Sequence, residues 1–180
     1  MNITVYLGSS QGNDPIFKEA VTELGHYIGS NENTLVYGGS KNGLMGDLAQ
    51  AVLESGGKVI GVEPKFFVER GFLYEDIDEL IVTDNMQERK AKMIELGEAF
   101  IAFPGGTGTL EEISEVMSMV SLRHLKAPCI LYDLNGYYED LKRQLRKMID
   151  CGLSSKERQE GIYFASDLNQ IKEIIENRVQ

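Results

Sequence analysis

The hydrophobic positions of the chain form short continuous runs, and segments with helical periodicity lie between them. Six runs are predicted strands, at residues 3–7, 34–37, 59–62, 80–83, 99–103 and 129–132. Most of these runs do not alternate polar and apolar residues, which is typical of strands that are buried on both faces. The pattern therefore predicts a sheet that is covered on both sides.

The helical segments between the runs have recognisable starts. Asp14-Pro15 is an N-cap followed by proline at the first helical position, and Thr109 with Glu112 has the spacing of a capping box. Predicted helices lie at residues 16–28, 43–53, 86–96, 110–122, 137–149 and 167–177. The longest segment without a predicted element is residues 65–78.

This repeated order of strand and helix predicts an α/β fold, a doubly wound parallel sheet with helices on both faces. The chain has 180 residues and no internal repeat or linker. Because a domain usually has roughly 100–200 residues, we expect residues 1–180 to form a single domain.

Three predicted strands end in turns that are rich in glycine and small polar residues. These turns are Gly8-Ser9-Ser10-Gln11-Gly12, Gly38-Gly39-Ser40 and Pro104-Gly105-Gly106-Thr107-Gly108-Thr109. Ligands of doubly wound sheets bind beyond the carboxyl ends of the strands. We therefore expect the three turns to line one binding site.

The third turn, residues 105–109, has the parts of a phosphate site and is called the phosphate loop below. Its glycines permit close backbone approach, and the helix that follows offers free N–H groups and the positive end of its dipole. No Lys-Ser/Thr pair follows the glycines, so the loop is not a Walker A motif, and its spacing is not G-x-G-x-x-G. The alternative is a tight strand–helix turn that binds no ligand.

Two cations fall on an unexpected side of the predicted helix 86–96. Helical periodicity places Arg89 and Lys90 within the arc of apolar residues. A cation that faces a core needs a paired charge or a bound anion, unless its long stem carries the charge to solvent. Both are candidate binding residues, and Arg89 is the better one because a planar guanidinium suits phosphate or carboxylate.

One glutamate of the next helix is a candidate pocket residue. Glu112 falls on the flank of the apolar stripe, one turn after the phosphate loop, whereas Glu111 falls nearly opposite the stripe. The stripe is predicted to consist of Leu110, Ile113, Val116, Met117 and Val120. The alternative role of Glu112 is to complete the capping box with Thr109, and the two roles are compatible.

Composition limits the classes of partner. The 18 Lys and Arg residues against 28 Asp and Glu residues give a net charge of −10, which disfavours nucleic acid and membrane surfaces because both are polyanionic. No apolar run approaches the ~20 residues of a membrane helix, and residues 1–7 lack the features of a signal peptide. Two cysteines and two histidines show no metal-ligand spacing. We expect a cytoplasmic protein without a metal or other cofactor.

Several segments resemble one known family. Residues 104–112, with the sequence PGGTGTLEE, resemble the PGGxGTxxE motif of the LOG family, and residues 86–93 resemble its second signature. Residues 8–10, 36–39, 43–46 and 57–62 follow in family order, and the resemblance covers roughly residues 3–150. LOG proteins are cytokinin riboside 5′-monophosphate phosphoribohydrolases that were often labelled lysine decarboxylases.

The resemblance implies a Rossmann-like fold, a homodimer and hydrolysis of the N-glycosidic bond of a nucleoside 5′-monophosphate. The substrate would be AMP or a cytokinin nucleotide, and the products would be the free base and ribose 5-phosphate. Arg89 and Glu112 would be catalytic, and Lys90 would assist in binding. The other substrate-binding candidates are Gly8, Ser9, Ser10, Gly38, Gly39, Gly105, Gly106, Thr107, Gly108 and Thr109.

The chain departs from the family pattern in places, and other readings stay open. Ser40 stands where a third glycine is common, and residues 117–120 stand where a tryptophan is usual. Met117 and Met119 are either dimer contacts or core filler. Arg89 would position Glu112, hold the sugar phosphate or help the departing base.

Two other functions use the same turns. A non-catalytic carrier of molybdenum cofactor would bind its phosphate with the same loop, although the presence of Arg89 and of the Glu112 carboxylate favours chemistry. A pyridoxal-phosphate lysine decarboxylase has no support in the sequence, because the pattern places no lysine near a cofactor loop.

Overall fold

The computed structural model describes residues 1–71 and 76–177. Within these residues, seven strands form one sheet: β1 (Asn2–Tyr6), β2 (Thr34–Tyr37), β3 (Lys58–Pro64), β4 (Glu79–Thr83), β5 (Ala99–Ala102), β6 (Cys129–Tyr132) and β7 (Ile162–Ala165). Every strand pair is parallel, and the order across the sheet is β4-β3-β2-β1-β5-β6-β7.

Helices cover both faces of this sheet. They are α1 (Pro15–Ser30), α2 (Gly43–Glu54), α3 (Lys65–Val68), α4 (Met86–Leu96), α5 (Thr107–Ser121), α6 (Glu139–Asp150) and α7 (Leu168–Glu176). Apolar side chains of α1, α2 and α7 join one buried cluster, and those of α4, α5 and α6 join a second. The predicted α/β fold, a Rossmann-like doubly wound parallel sheet flanked by helices on both faces, is confirmed.

The sheet order creates a crevice at its centre. The chain proceeds outward from β1 to β4 and then returns to β5, which pairs with the other side of β1. Such a reversal leaves a gap between the connections at the carboxyl ends of β1 and β5, where ligands of this architecture bind. The first and third glycine turns follow these two strands.

The start of α5 differs from the prediction. The helix begins at Thr107, with Gly106 as a cap that makes no side-chain hydrogen bond, so the predicted capping box of Thr109 and Glu112 is wrong. Leu110 was expected in the buried stripe but is 44% exposed. The remaining members of the predicted stripe are buried.

Two further elements are absent from the predicted set. β7 is a run of four residues at the edge of the sheet, and it is defined by its pairing with β6. The segment 65–78 contains α3, and its residues 72–75 lie outside the described part of the chain. No helix within residues 1–71 and 76–177 is long and apolar enough to span a membrane.

Two glycines set the close approach of α1 and α2. A Cβ atom added at Gly25 would lie 2.6 Å from the Cβ of Ala51, and one added at Gly29 would lie 2.5 Å from the carbonyl oxygen of Val52. At these two positions the backbone of α1, without a side chain, contacts α2 directly. This packing fixes α2, whose first residues reach the crevice.

Replacement of Gly25 by alanine should destabilise the protein although alanine is the better helix former. We expect the free energy of unfolding to fall by about 1–3 kcal/mol, because the added methyl group overpacks the helix contact. Gly108→Ala is the matched control, since a Cβ atom there meets nothing within 4 Å, and it should stabilise by about 0.5–1 kcal/mol. Urea denaturation measures the free energy of unfolding of both variants. Equal changes in the two variants would contradict the close packing of α1 and α2.

Candidate active site

A cavity of about 710 Å³ opens at the carboxyl ends of the central strands. All three glycine turns contribute to its wall, as the sequence predicts. The predicted site residues that line it are Gly8, Ser9, Ser10, Gly38, Arg89, Gly105, Gly106, Thr107, Gly108, Thr109 and Glu112. The structure thus brings most of the predicted residues together around one space.

The phosphate loop presents open backbone to this cavity. Gly106 and Gly108 have free space where a Cβ atom would stand, whereas a Cβ atom at Gly105 would lie 2.2 Å from Oγ1 of Thr109 and 3.0 Å from the backbone nitrogen of Gly8. Gly105 therefore lets the first and third turns meet. Because α5 starts at Thr107, its free N–H groups lie at this point, an arrangement that attracts anions.

Arg89 and Glu112 form a buried ion pair beside the loop. Arg89 is 5% exposed and Glu112 is 7% exposed. Nη1 of Arg89 donates to Oε1 of Glu112, and Nε donates to the carbonyl oxygen of Val62 at 3.0 Å. The guanidinium is thereby fixed between the end of β3 and the first turns of α5.

Opposing effects act on the pKa of Glu112. Burial raises this pKa above its usual range, because the charged form loses its hydration. The positive charge of Arg89 and its hydrogen bond favour the carboxylate and oppose that rise. The carboxylate is thus poorly hydrated and held by a single cation, which suits it to stabilise positive charge that develops nearby.

The second glycine turn makes room for charged side chains. A Cβ atom at Gly38 would lie 2.5 Å from Nη2 of Arg89, and one at Gly39 would lie 2.5 Å from Cγ of Glu63. Gly39 has a φ of +81° and is not among the residues that line the cavity. The structure therefore does not bring Gly39, a predicted substrate-binding residue, to the cavity; it packs against Glu63.

Lys90 also lies away from the cavity wall. Its side chain is largely buried, as the helical periodicity indicates, but Nζ lies 2.8 Å from Oε1 of Glu111 and 3.1 Å from Oε2 of Glu115. The two acceptors are on α5, so the lysine crosses between helices and joins α4 to α5. Lys90 is not among the residues that line the cavity, and its role in binding stays a prediction.

Sequence reasoning missed Glu63, a second carboxyl group of the cavity. Glu63 is 4% exposed and lies at the end of β3. Burial raises the pKa of Glu63 to about 7; Arg89 acts to lower it and Glu112 to raise it. An acidic residue that directly follows the apolar run 59–62 was the available signal, because a strand end in this fold faces the ligand crevice.

Apolar side chains form the rest of the wall that the sequence did not reveal. Phe17, Met45, Phe67 and Met86 line the cavity, together with Tyr137, whose hydroxyl group donates to the carbonyl oxygen of Gly105. The cavity thus joins a glycine-rich end that is suited to an anion, a charged centre and apolar surface. Among the described residues, no three His, Cys, Asp or Glu side chains are grouped as ligands for a metal ion.

Replacement of Arg89 by methionine should reveal the cost of an unpaired Glu112. We expect the free energy of unfolding at pH 8 to fall by about 3–5 kcal/mol, the usual loss when a buried pair is broken. The loss should shrink at pH 5, because the isolated carboxyl group then takes up a proton. Urea denaturation at several pH values provides the measurement.

The double variant Arg89→Met/Glu112→Leu is the control for this pairing. It should recover much of the lost stability at pH 8, since apolar residues in place of a buried ion pair are often tolerated. A loss that is independent of pH and persists in the double variant would contradict the account.

Known proteins resemble this chain over most of its length. Residues 45–175 match a family model described as possible lysine decarboxylase. A cytokinin riboside 5′-monophosphate phosphoribohydrolase of Arabidopsis thaliana is 37% identical over 177 residues, which covers 98% of this chain and 83% of the relative. One of Rhodococcoides fascians is 42% identical over 141 residues, 78% of this chain and 71% of the relative.

Solved structures share the fold at lower identity. A molybdenum cofactor binding protein of Rippkaea orientalis has a TM-score of 0.72 at 20% identity, and the match covers 99% of this chain and 97% of that one. The molybdenum cofactor carrier protein of Chlamydomonas reinhardtii has a TM-score of 0.72 at 21% identity, over 97% and 98% of the two chains. At such identities the likeness shows the fold alone. The sequence relatives and the family model show that this chain belongs to the LOG family.

Proposed function

We propose that this chain hydrolyses the N-glycosidic bond of a nucleoside 5′-monophosphate to a free base and ribose 5-phosphate. The observation that carries the proposal is the buried pair of Arg89 and Glu112 beside an open anion-binding loop. The names of the sequence relatives support the same reaction. The substrate is AMP or a cytokinin riboside 5′-monophosphate.

The phosphate loop positions the substrate in this proposal. Backbone N–H groups of Gly106 and Gly108, the start of α5 and the hydroxyl groups of Thr107 and Thr109 are suited to a phosphate. Binding there lies away from the bond that breaks, so its energy orients the ribose over Glu112. A net charge of −10 does not oppose this, because local dipoles act at short range.

Glu112 acts on the ribose. Departure of the base builds positive charge on the sugar ring, and a poorly hydrated carboxylate stabilises this charge strongly. The same carboxylate accepts a proton from the attacking water. Arg89 touches both Val62 and Glu112, so we assign it the positioning of Glu112. Lys90 supports α5 from outside by its contacts with Glu111 and Glu115.

Glu112→Gln should lower base release from AMP or isopentenyladenosine monophosphate by about 10²–10⁴-fold, the usual contribution of a positioned acid or base. The binding of phosphate should change little. Glu111→Gln is the matched control, because this neighbour is exposed and pairs with Lys90, and it should retain activity. Chromatography of the base and ribose 5-phosphate gives the rates.

Other outcomes of this assay would contradict the proposal. No base release by the parent protein from any common nucleotide over several pH values would overturn it. Tight binding of molybdenum cofactor without nucleotide cleavage would instead favour a carrier. Formation of an amine from lysine after addition of pyridoxal phosphate would favour the decarboxylase.

The proposal includes a homodimer that works in the cytoplasm. Leu110 is 44% exposed and Leu122 is 63% exposed at the two ends of α5, and a partner would cover them. Two free cysteines agree with a reducing compartment.

Light scattering should give a mass of about 40 kDa, twice the 20.1 kDa of the chain, and Leu122→Glu should reduce this mass. A parent mass near that of one chain would contradict the dimer.

A further inference from the structure

The proposed hydrolysis leaves one proton without a source. When the bond between the sugar and the base breaks, its electron pair stays on the base, which leaves easily only if a ring nitrogen is protonated. Arg89 cannot supply this proton, because an arginine side chain keeps its proton and its positive charge in proteins. Glu112 is assigned the opposite task, as a carboxylate toward the sugar and the water. A third group is required if the proposed function holds.

Glu63 is free to contact a ligand. Its side chain is 4% exposed, lines the cavity and rests against Gly39. Within residues 1–71 and 76–177, neither a hydrogen bond nor an ion pair holds its carboxyl group, and only burial and charges at a distance act on its pKa. Buried polar groups normally have a partner. A substrate in the cavity would provide one.

The position of Glu63 matches the base end of a bound nucleotide. The phosphate loop follows β5, and β3 lies three strand positions from β5, about 14 Å at the usual strand spacing. Arg89 lies between these two regions, because its guanidinium contacts Val62 on β3 and Glu112 on α5. A nucleotide with its phosphate on the loop therefore extends its base past Glu112 toward Glu63.

The environments of the two carboxyl groups separate their protonation states. Burial raises the pKa of both groups, but Arg89 donates directly to Glu112 and opposes the rise there. Glu63 lacks such a donor, and burial raises its pKa to about 7, with Arg89 opposing and Glu112 reinforcing the rise. Tyr37 on β2 lies on the same face of the sheet as Glu63, because it pairs with Gly61, two residues before Glu63. When two carboxyl groups differ in this way, the protonated one is the acid.

We propose that Glu63 is the general acid that protonates the departing base. Its carboxyl proton passes to a ring nitrogen as the C1′–N bond breaks and the electron pair moves to the base. A water oxygen then bonds to C1′, and its proton passes to Glu112. One neutral base and one ribose 5-phosphate form from one nucleotide and one water. The proton on Glu112 returns to Glu63 through solvent, which restores the starting state.

Two substrates with different leaving groups test this assignment. AMP needs a protonated leaving base, whereas 4-nitrophenyl β-D-ribofuranoside 5-phosphate releases a stable phenolate without an acid. In Glu63→Gln, kcat/KM for AMP should fall by about 10²–10⁴-fold, with little change for the nitrophenyl substrate. Glu112→Gln should lose activity on AMP and on the nitrophenyl substrate, and Glu111→Gln should keep activity on the two substrates.

The pH profile of the parent protein gives an independent readout. Because the acid must carry its proton, kcat/KM for AMP should fall as the pH rises above about 7, the pKa of Glu63. The nitrophenyl substrate should not show this decline. The decline with AMP should also be absent in Glu63→Gln, and activity on the nitrophenyl substrate confirms that the variant is folded.

The outcomes separate this inference from the proposed function. If the parent protein cleaves neither substrate, the hydrolase proposal itself is wrong. If the parent cleaves AMP and Glu63→Gln keeps that activity, Glu63 is not the acid. The same holds if the variant loses activity on AMP and on the nitrophenyl substrate equally. If the variant does not fold, parallel pH profiles of the parent on the two substrates overturn the assignment.

Discussion

The burial of one guanidinium group determines how this site is built. Arg89 has almost no contact with water, so its charge requires close acceptors. The carbonyl group of Val62 and the carboxylate of Glu112 provide them, and Gly38 leaves the space that the guanidinium fills. Three elements that are distant in the chain, β3, α4 and α5, therefore meet at one cation. The cavity and its two carboxyl groups are arranged around this meeting point.

The same constraint explains how an acidic protein can handle an anionic ligand. In the proposed function, the phosphate loop binds its anion with backbone N–H groups and a helix start, which do not depend on the net charge of the chain. Inside the cavity, the carboxyl groups of Glu63 and Glu112 lie near a single guanidinium group, that of Arg89. Burial raises the pKa of both groups, to about 7 for Glu63, and the direct hydrogen bond from Arg89 opposes the rise at Glu112. In our proposal, the position of each glutamate in the fold, more than its residue type, determines its chemical role.

Local sequence patterns predicted the features that depend on neighbouring residues in the chain, namely strands and a helix cap. Continuous apolar runs predicted six strands, and Asp14 caps α1 as expected. The start of α5 was misplaced, because Thr109 and Glu112 have capping spacing while the glycines allow the helix to begin at Thr107. Helical periodicity correctly placed Lys90 on the inward side of α4. It contains no information about the next helix, where Glu111 and Glu115 form ion pairs with Lys90. Glu63 was missed because its importance depends on neighbours from α4 and α5.

A crystal structure of the Glu112→Gln variant with bound AMP tests the central claim most directly, because the substrate would persist in the site. The account predicts the phosphate on residues 105–109, C1′ beside residue 112 and the base directed toward Glu63. A nucleotide bound with its phosphate elsewhere, or with C1′ remote from residue 112, would contradict it.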